Sequence, residues 1–166
     1  MSYLPSLKSG RLSSYILGNV LNQITSSTSY VNYQITSTIT TVVNHFNTTL
    51  VASAASDRVT LPAGKYYLNA RLTVKRAVVD VWGVEYIFYS YINNVKTEIG
   101  YEGKEAGSVA ITDPQKSEHA TAYIESDGTV EIGLQFKTTN GVQVVVSDTT
   151  YQSYVGQSRV MIWRIE

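Results

Sequence analysis

From residue 33 onward, apolar and polar residues alternate with a period of two, the pattern of a strand with one buried face. In the clearest case, residues 66–74, apolar side chains hold every even position and mostly polar ones hold the odd positions. Similar alternation, bounded by turn-forming residues, covers residues 35–43, 120–125 and 130–137. The pattern predicts about nine antiparallel strands and no helix after residue 30, which is typical of a β-sandwich or barrel.

A strong turn signal, Asn140-Gly141, follows the segment at residues 130–137. Asn-Gly pairs favour the two-residue turns that join the strands of a hairpin. We therefore expect residues 130–137 to pair with the strand predicted at residues 142–146.

Two segments break the alternation because both of their faces are apolar or aromatic, namely residues 84–92 and 159–165. A two-layer sandwich buries one face of each sheet, so the second face of such a strand needs a further cover. No helix is predicted to supply it, and the alternative cover is a long loop, at residues 76–83 or 100–108. We predict instead that another copy of the chain covers these strands, through an interface of Ile87, Tyr89, Tyr91, Met161 and Trp163.

Residues 1–30 differ from the rest of the chain, since they are rich in serine and contain no acidic residue. Apolar residues recur there every four positions, at Leu12, Ile16, Val20 and Ile24, which indicates one short helix. We therefore divide the chain into an N-terminal arm, residues 1–30, and a β domain, residues 31–166. The arm is expected to dock on a partner protein or on sister subunits, and the alternative is a flexible terminus that contacts nothing.

Charge and composition argue against several classes of function. The chain has 13 Lys+Arg and 13 Asp+Glu, so its formal net charge is +0 and it lacks the basic excess of a nucleic-acid-binding domain. It has no cysteine, and therefore no disulfide, thiolate metal site or thiol nucleophile. No segment approaches ~20 consecutive apolar residues and none has the pattern of a signal peptide. We expect neither nucleic acid nor a membrane as a partner.

Residues that could carry chemistry are few and scattered. His45 and His119 are the only histidines, and each falls at a predicted strand end or in a loop. Glu102 and Glu105 lie in a predicted glycine-rich loop, residues 100–107, which lacks the spaced oxygen ligands of a calcium loop and the Gly-Lys-Ser/Thr of a phosphate loop. We predict that the chain has no catalytic residues and binds no metal and no cofactor.

Three features together resemble a known family. The first is the segment VTLPAGKYYLNARL, Val59–Leu72, in which a turn leads into an alternating strand. The others are a strand–Asp-Gly–strand unit, Tyr123–Phe136, and a short hydrophobic strand at residues 159–166. Residues 33–166 resemble the trimeric jelly rolls of the tumour-necrosis-factor/complement type. The resemblance is greatest to the forms that tailed-phage virions carry as capsid decoration proteins, head fibres and fibre tips.

The resemblance implies an all-β fold, an antiparallel jelly-roll β-sandwich that forms a homotrimer about a threefold axis and carries an N-terminal arm. It implies a structural virion protein rather than an enzyme, namely a bacteriophage capsid decoration or cement protein. Such a protein is made in the host cytoplasm, binds the major capsid protein on the capsid surface and stabilises the assembled shell. The arm residues expected to bind the capsid are Tyr3, Leu4, Leu7, Arg11, Ile16 and Leu17.

A different function stays open on the same fold, because one fold serves many functions. A head- or tail-fibre tip that binds a host receptor or glycan would use aromatic loops such as residues 151–154, Tyr-Gln-Ser-Tyr, since tyrosine and serine suit adaptable recognition. Deletion of the arm separates the two functions, because it should abolish capsid binding and spare glycan binding.

Overall fold

The structure is a computed structural model that describes residues 13–19, 23–24, 29–53, 57–75, 82–93, 95–107, 115–116, 119–139, 143–145 and 159–166. All regular secondary structure in these ranges is β-strand. In chain order the strands are β1 (Ser13–Asn19), β2 (Gln23–Ile24), β3 (Val31–Asn32), β4 (Ile35–Asn44), β5 (Val51–Ala52), β6 (Val59–Thr60), β7 (Gly64–Arg71), β8 (Thr73–Lys75), β9 (Trp82–Ile92), β10 (Val95–Gly107), β11 (Gln115–Lys116), β12 (Ala120–Ser126), β13 (Glu131–Thr139), β14 (Gln143–Val145) and β15 (Arg159–Arg164).

Eleven of these strands form one antiparallel sheet in the order β4-β1-β15-β7-β12-β10-β9-β13-β6-β5, with β3 also paired to β13. The other four form a small separate sheet in the order β11-β8-β14-β2. Seven of the described strands have only two or three residues, so the longer ones carry most of the pairing. The prediction of an all-β antiparallel fold is confirmed.

The large sheet curls so that its two halves enclose one hydrophobic core. It bends at β10, which pairs with β9 and also with β12, where Tyr101 faces Thr121. Alternate residues of β7 and β13, such as Leu68 and Leu134, are buried in this core from its two sides. Their burial follows from the period of two, because successive side chains of a strand point to opposite faces.

β10 runs through the segment that was predicted to be a loop. After a register shift between Ile99 and Gly103, residues 103–107 pair with β9 again. Gly100 has a φ of +79°, a conformation that suits a residue without a Cβ, and the shift is a bulge that bends the strand toward β12. The prediction of a loop at residues 100–107 is wrong, because the glycines here bend a strand rather than end it.

The N-terminal boundary predicted at residue 30 does not follow the sheet. β1 lies between β15 and β4, so residues 13–19 are part of the domain. The helix predicted around them is wrong, since residues 13–19 and 23–24 are strands. The apolar residues that suggested it are all even-numbered, so their spacing of four satisfies the period of a strand as well as that of a helix.

The hairpin predicted at Asn140-Gly141 is not formed by the strands on either side. β14 pairs with β8 and β2 in the small sheet, whereas β13 pairs with β9, β6 and β3. The Asn-Gly pair itself lies outside the described residues. A turn signal indicates where the chain changes direction, but the partner of the next strand depends on tertiary packing.

One buried hydroxyl fixes the end of β12. Ser126 Oγ donates a hydrogen bond to the carbonyl oxygen of Leu61 at 2.6 Å and accepts one from the backbone N–H of Gly128 at 3.0 Å. Ser126→Ala should lower the free energy of unfolding by about 1–3 kcal/mol, because it leaves buried backbone groups without a partner. Urea unfolding followed by circular dichroism measures the change. Thr129→Ala is the control, because the Thr129 hydroxyl is exposed, and an equal loss in both variants would contradict the prediction.

Candidate interaction surface

The outward side chains of β12, β7 and β15 form three cross-strand rows on one side of the sheet. The strand registers place Tyr123 beside Tyr67 and Tyr67 beside Trp163, and the next row is aligned in the same way. His119 lies one position beyond the Ala120–Ala70 pair, so it stands beside Arg71, which faces Arg159. We call these nine residues the β7 face; its rows are Tyr123–Tyr67–Trp163, Thr121–Asn69–Met161 and His119–Arg71–Arg159.

The first row of the β7 face is a continuous aromatic strip. The rings of Tyr67 and Trp163 have centroids 5.6 Å apart with an interplanar angle of 34°. Tyr67 is 38% exposed and Tyr123 is 48% exposed, whereas Tyr66, the neighbour of Tyr67 on the core side, is fully buried. Contiguous exposed apolar patches on soluble proteins mark interaction sites, so the strip is the strongest candidate for a binding surface among the described residues.

The five residues of the predicted interface do not form one surface. Met161 and Trp163 lie on the β7 face, in the second and first rows. Ile87, Tyr89 and Tyr91 lie on β9, which is separated from β15 in the sheet by β7, β12 and β10. Two distinct surfaces therefore contain the aromatic residues that the sequence assigned to a single interface.

The second face of β9 is covered by residues of the same chain. Tyr89 is buried, its hydroxyl donates to the carbonyl oxygen of Asp57 at 3.2 Å, and Lys96 Nζ lies 4.2 Å from the centroid of its ring. The guanidinium of Arg58 lies 4.4 Å from the ring centroid of Tyr91. Long cationic side chains can lie over aromatic rings and keep their charge in water. The cover over Tyr89 therefore comes from the same chain, from Lys96 on β10 and from Asp57 in the loop between β5 and β6, and it needs no other subunit.

Ion pairs hold this cover in place. Arg58 bonds Asp57 at 3.2 Å and Glu131 at 2.8 Å, so its guanidinium is fixed above the β9 surface. Burial raises the pKa of Tyr89, and the nearby Asp57 carboxylate raises it further. Tyr89 is therefore a neutral phenol that acts as a hydrogen-bond donor. These ion pairs and this hydrogen bond join residues of the same chain into one structural network.

The predicted capsid-binding residues divide into two groups. Tyr3, Leu4, Leu7 and Arg11 lie outside the described residues, as does the tyrosine-containing loop at residues 151–154. Ile16 and Leu17 lie in β1, where they pair with Met161 and Val160 of β15. Their backbone therefore belongs to the sheet rather than to a separate arm.

The residues considered for chemistry stay apart. His45 is exposed, and His119 Nδ1 lies 2.8 Å from Asn69 Oδ1. Partial burial lowers the pKa of His119, and the positive charge of Arg71 lowers it further. Glu102 accepts a hydrogen bond from the Tyr30 hydroxyl at 2.6 Å. Within the described ranges, no three His, Asp or Glu side chains are grouped so that they could hold a metal ion, and no helix is long and apolar enough to cross a membrane.

No family model matches the sequence, and no curated protein matches it. Several solved structures do match this chain. Murine APRIL at pH 8.5 matches with a TM-score of 0.58 and 11% identity, over 93% of this chain and 99% of that one. Eiger TNF from S. frugiperda matches with a TM-score of 0.58 and 8% identity, over 92% of this chain and 90% of that one. The fold is a tumour-necrosis-factor-like jelly roll. At these identities the likeness concerns the fold alone, and it confirms the predicted jelly roll.

Two residues of the jelly roll's exposed strip were missed from the sequence. Tyr67 and Tyr123 lie at the alternate positions of their strands that otherwise hold polar residues, so both were assigned to a solvated face. Tyrosine is partly polar, and one tyrosine on a wet face is ordinary. The available signal was that both tyrosines and Trp163 belong to strands that are neighbours in a jelly roll, which places all three in one row.

Proposed function

We propose that the protein is a non-enzymatic structural protein that assembles as a homotrimer through the β7 face. The observation that carries the proposal is the aromatic row of Tyr123, Tyr67 and Trp163, in which both tyrosines are exposed and the tryptophan is half-buried. In the family that the sequence resembles, jelly rolls meet around a threefold axis. A closed ring of three copies would bury the row in every subunit and leave no unmatched patch.

The energetics favour assembly through this row. An aromatic side chain can bury about 150–250 Å², and aromatic pairs in contact add about 0.5–1.5 kcal/mol beyond the area term. Tyr67 and Trp163 are already held together by the sheet, so little further side-chain entropy is lost when a partner covers them. Met161 in the next row extends the same apolar area with an adaptable side chain.

We further propose that the trimer is a bacteriophage capsid decoration protein that binds the major capsid protein on the outside of the assembled shell. The support is the sequence resemblance to decoration proteins of tailed phages. Because β1 belongs to the sheet, the segment proposed to reach the capsid is residues 1–12, which includes Tyr3, Leu4, Leu7 and Arg11. A protein that binds only the assembled shell stabilises it by mass action.

Solution mass is the first test of the trimer. Light scattering on a sizing column should give about 55 kDa for the full chain, since each copy weighs 18.3 kDa. A variant that begins at residue 13 should have the same number of subunits, because it keeps every strand that the structure describes. A monomer for the full chain would contradict self-association through the β7 face.

Capsid binding is the test of the second step. Full-length protein should sediment with capsids assembled from the major capsid protein of the same virus, and the variant that begins at residue 13 should not. If both sediment equally, the N-terminal segment is not the capsid contact. If neither binds and the truncated variant still binds host glycans, the fibre-tip function replaces decoration.

A further inference from the structure

The third row of the β7 face places positive charges together. Arg71 and Arg159 are direct Cα partners across β7 and β15, and His119 stands on the other side of Arg71. Side chains directly opposite in an antiparallel pair have Cβ atoms ~4.5–5.5 Å apart, and like charges in that position destabilise the pair. The two like charges therefore destabilise the pairing of β7 with β15 unless a group of opposite charge lies near them.

Other arginines of the described chain have their donors satisfied. Arg58 forms ion pairs with Asp57 and Glu131. Arg164 donates to the carbonyl oxygens of Ala63 and Glu166, and its guanidinium lies 4.7 Å from the ring centroid of Phe46. In both arginines the guanidinium has partners within the fold, as expected for a structural role.

Arg71 and Arg159 differ from them. Within the part of the chain that the structure describes, neither forms an ion pair, and Arg71 Nε is buried with no hydrogen-bond partner. A buried donor without a partner destabilises the folded protein, and more so when it belongs to a charged group. Among the described residues, the row therefore has donors without an acceptor.

The carboxylates that the structure describes on this side of the sheet are not near the row. Glu125 faces Lys65 at the other end of the β7 face, and Glu166 is ion-paired with the same lysine. Glu125 is six residues from His119 along the strand, which is about 20 Å at ~3.3 Å per residue. Among the described residues, the acidic side chains therefore lie beyond the aromatic row and the basic row lies at the opposite end.

We propose that Arg71 and Arg159 bind a small tetrahedral oxyanion, inorganic phosphate or sulfate, at the basic end of the β7 face. The guanidinium group presents donors in a planar fork that matches two oxygens of such an anion. Its oxygens would accept from the terminal nitrogens of the two guanidinium groups. The negative charge would remove the repulsion across the strand pair.

The site belongs to one chain and does not depend on the proposed trimer. If three copies meet around an axis with their strands aligned, each brings its own arginine pair to the same height. Bound anions would then also reduce repulsion between copies. Solution mass and anion binding are separate measurements, so a failure of the trimer leaves the anion site standing, and the reverse also holds.

Phosphate binding to the full-length protein tests the site. Isothermal titration with inorganic phosphate, at an ionic strength held constant with sodium chloride, should show saturable binding. Arg71→Gln and Arg159→Gln should each weaken the affinity about tenfold or more, because a charge-assisted hydrogen bond contributes about 1.5–3 kcal/mol. Sulfate should compete with phosphate, while acetate at the same concentration should compete less because it offers only two oxygens.

Lys96→Gln is the matched control, since it removes one positive charge from an exposed position near the start of β10, whereas the part of β10 beside His119 is near its other end. It should leave the phosphate affinity unchanged. Arg159 is exposed, so Arg159→Gln is expected to fold even if Arg71→Gln does not, and circular dichroism of each variant checks this. Equal affinity in wild type and Arg159→Gln would overturn the site. Phosphate binding that Arg159→Gln and Lys96→Gln weaken equally would show only a general charge effect and would overturn it too.

Discussion

Tyr67→Glu is expected to convert a particle of about 55 kDa into a monomer of 18.3 kDa. Tyr67 lies in the middle of the aromatic row, between Tyr123 and Trp163, so a carboxylate there would be enclosed on both sides when copies meet. Burying a charge without a partner costs several kcal/mol. Each subunit of a trimer carries the substitution, so every interface of the trimer is destabilised.

The measurement is light scattering on a sizing column at several protein concentrations, with circular dichroism to confirm that the variant is folded. Val95→Glu is the control, because Val95 is 62% exposed and lies at the start of β10, outside the β7 face. It introduces the same charge on an apolar residue and should leave the mass unchanged. A folded Tyr67→Glu protein that is still trimeric would show that another surface joins the subunits.

Gly100→Ala is expected to lower the free energy of unfolding by about 2–4 kcal/mol. A Cβ at this position would lie 2.0 Å from the carbonyl oxygen of Thr121 and 2.6 Å from the Cβ of Ala122. These atoms belong to β12, so the bulge of β10 could accept a methyl group only if the two halves of the sheet moved apart. The φ of +79° adds a conformational cost for any residue other than glycine.

Gly128→Ala separates the conformational contribution from the steric contribution. Gly128 has a φ of +105°, but a Cβ there would meet nothing closer than the backbone nitrogen of Ala63, at 3.7 Å. Its replacement should therefore cost only the conformational term, about 1 kcal/mol. Urea unfolding gives both values from midpoints at an unchanged slope. If the two variants lose the same stability, the close approach of β10 to β12 is not important for stability.

Local patterns predicted the parts of the jelly roll that depend on side-chain alternation. Tyr66, Leu68 and Ala70 of β7 are buried as predicted. Patterns of this kind predict which face of a strand is buried because the period of two is intrinsic to the backbone. They do not specify which distant strand is the neighbour, and β14 therefore joined the small sheet instead of pairing with β13.

The candidate surface was predicted only in part, for a related reason. Both faces of β9 are apolar or aromatic, but Lys96 covers Tyr89 from the neighbouring strand β10, and Arg58 covers Tyr91 from a position remote in sequence. Conversely, Tyr67 and Tyr123 look unremarkable in their own strands and gain significance only when the sheet places them beside Trp163. Met161 and Trp163 lie on the β7 face, and their role in assembly stays a prediction.

The position of β15 has a consequence for how the chain reaches this structure. β15 lies between β1 and β7, so the half of the sheet that carries the β7 face is incomplete until residues 159–164 have been synthesised. Before then the facing edges of β1 and β7 have unpaired backbone groups, which can recruit strands from other chains. Pairings between such distant segments also close slowly. During synthesis at high levels, a ribosome-associated chaperone that shields these two edges should therefore raise the yield of folded protein.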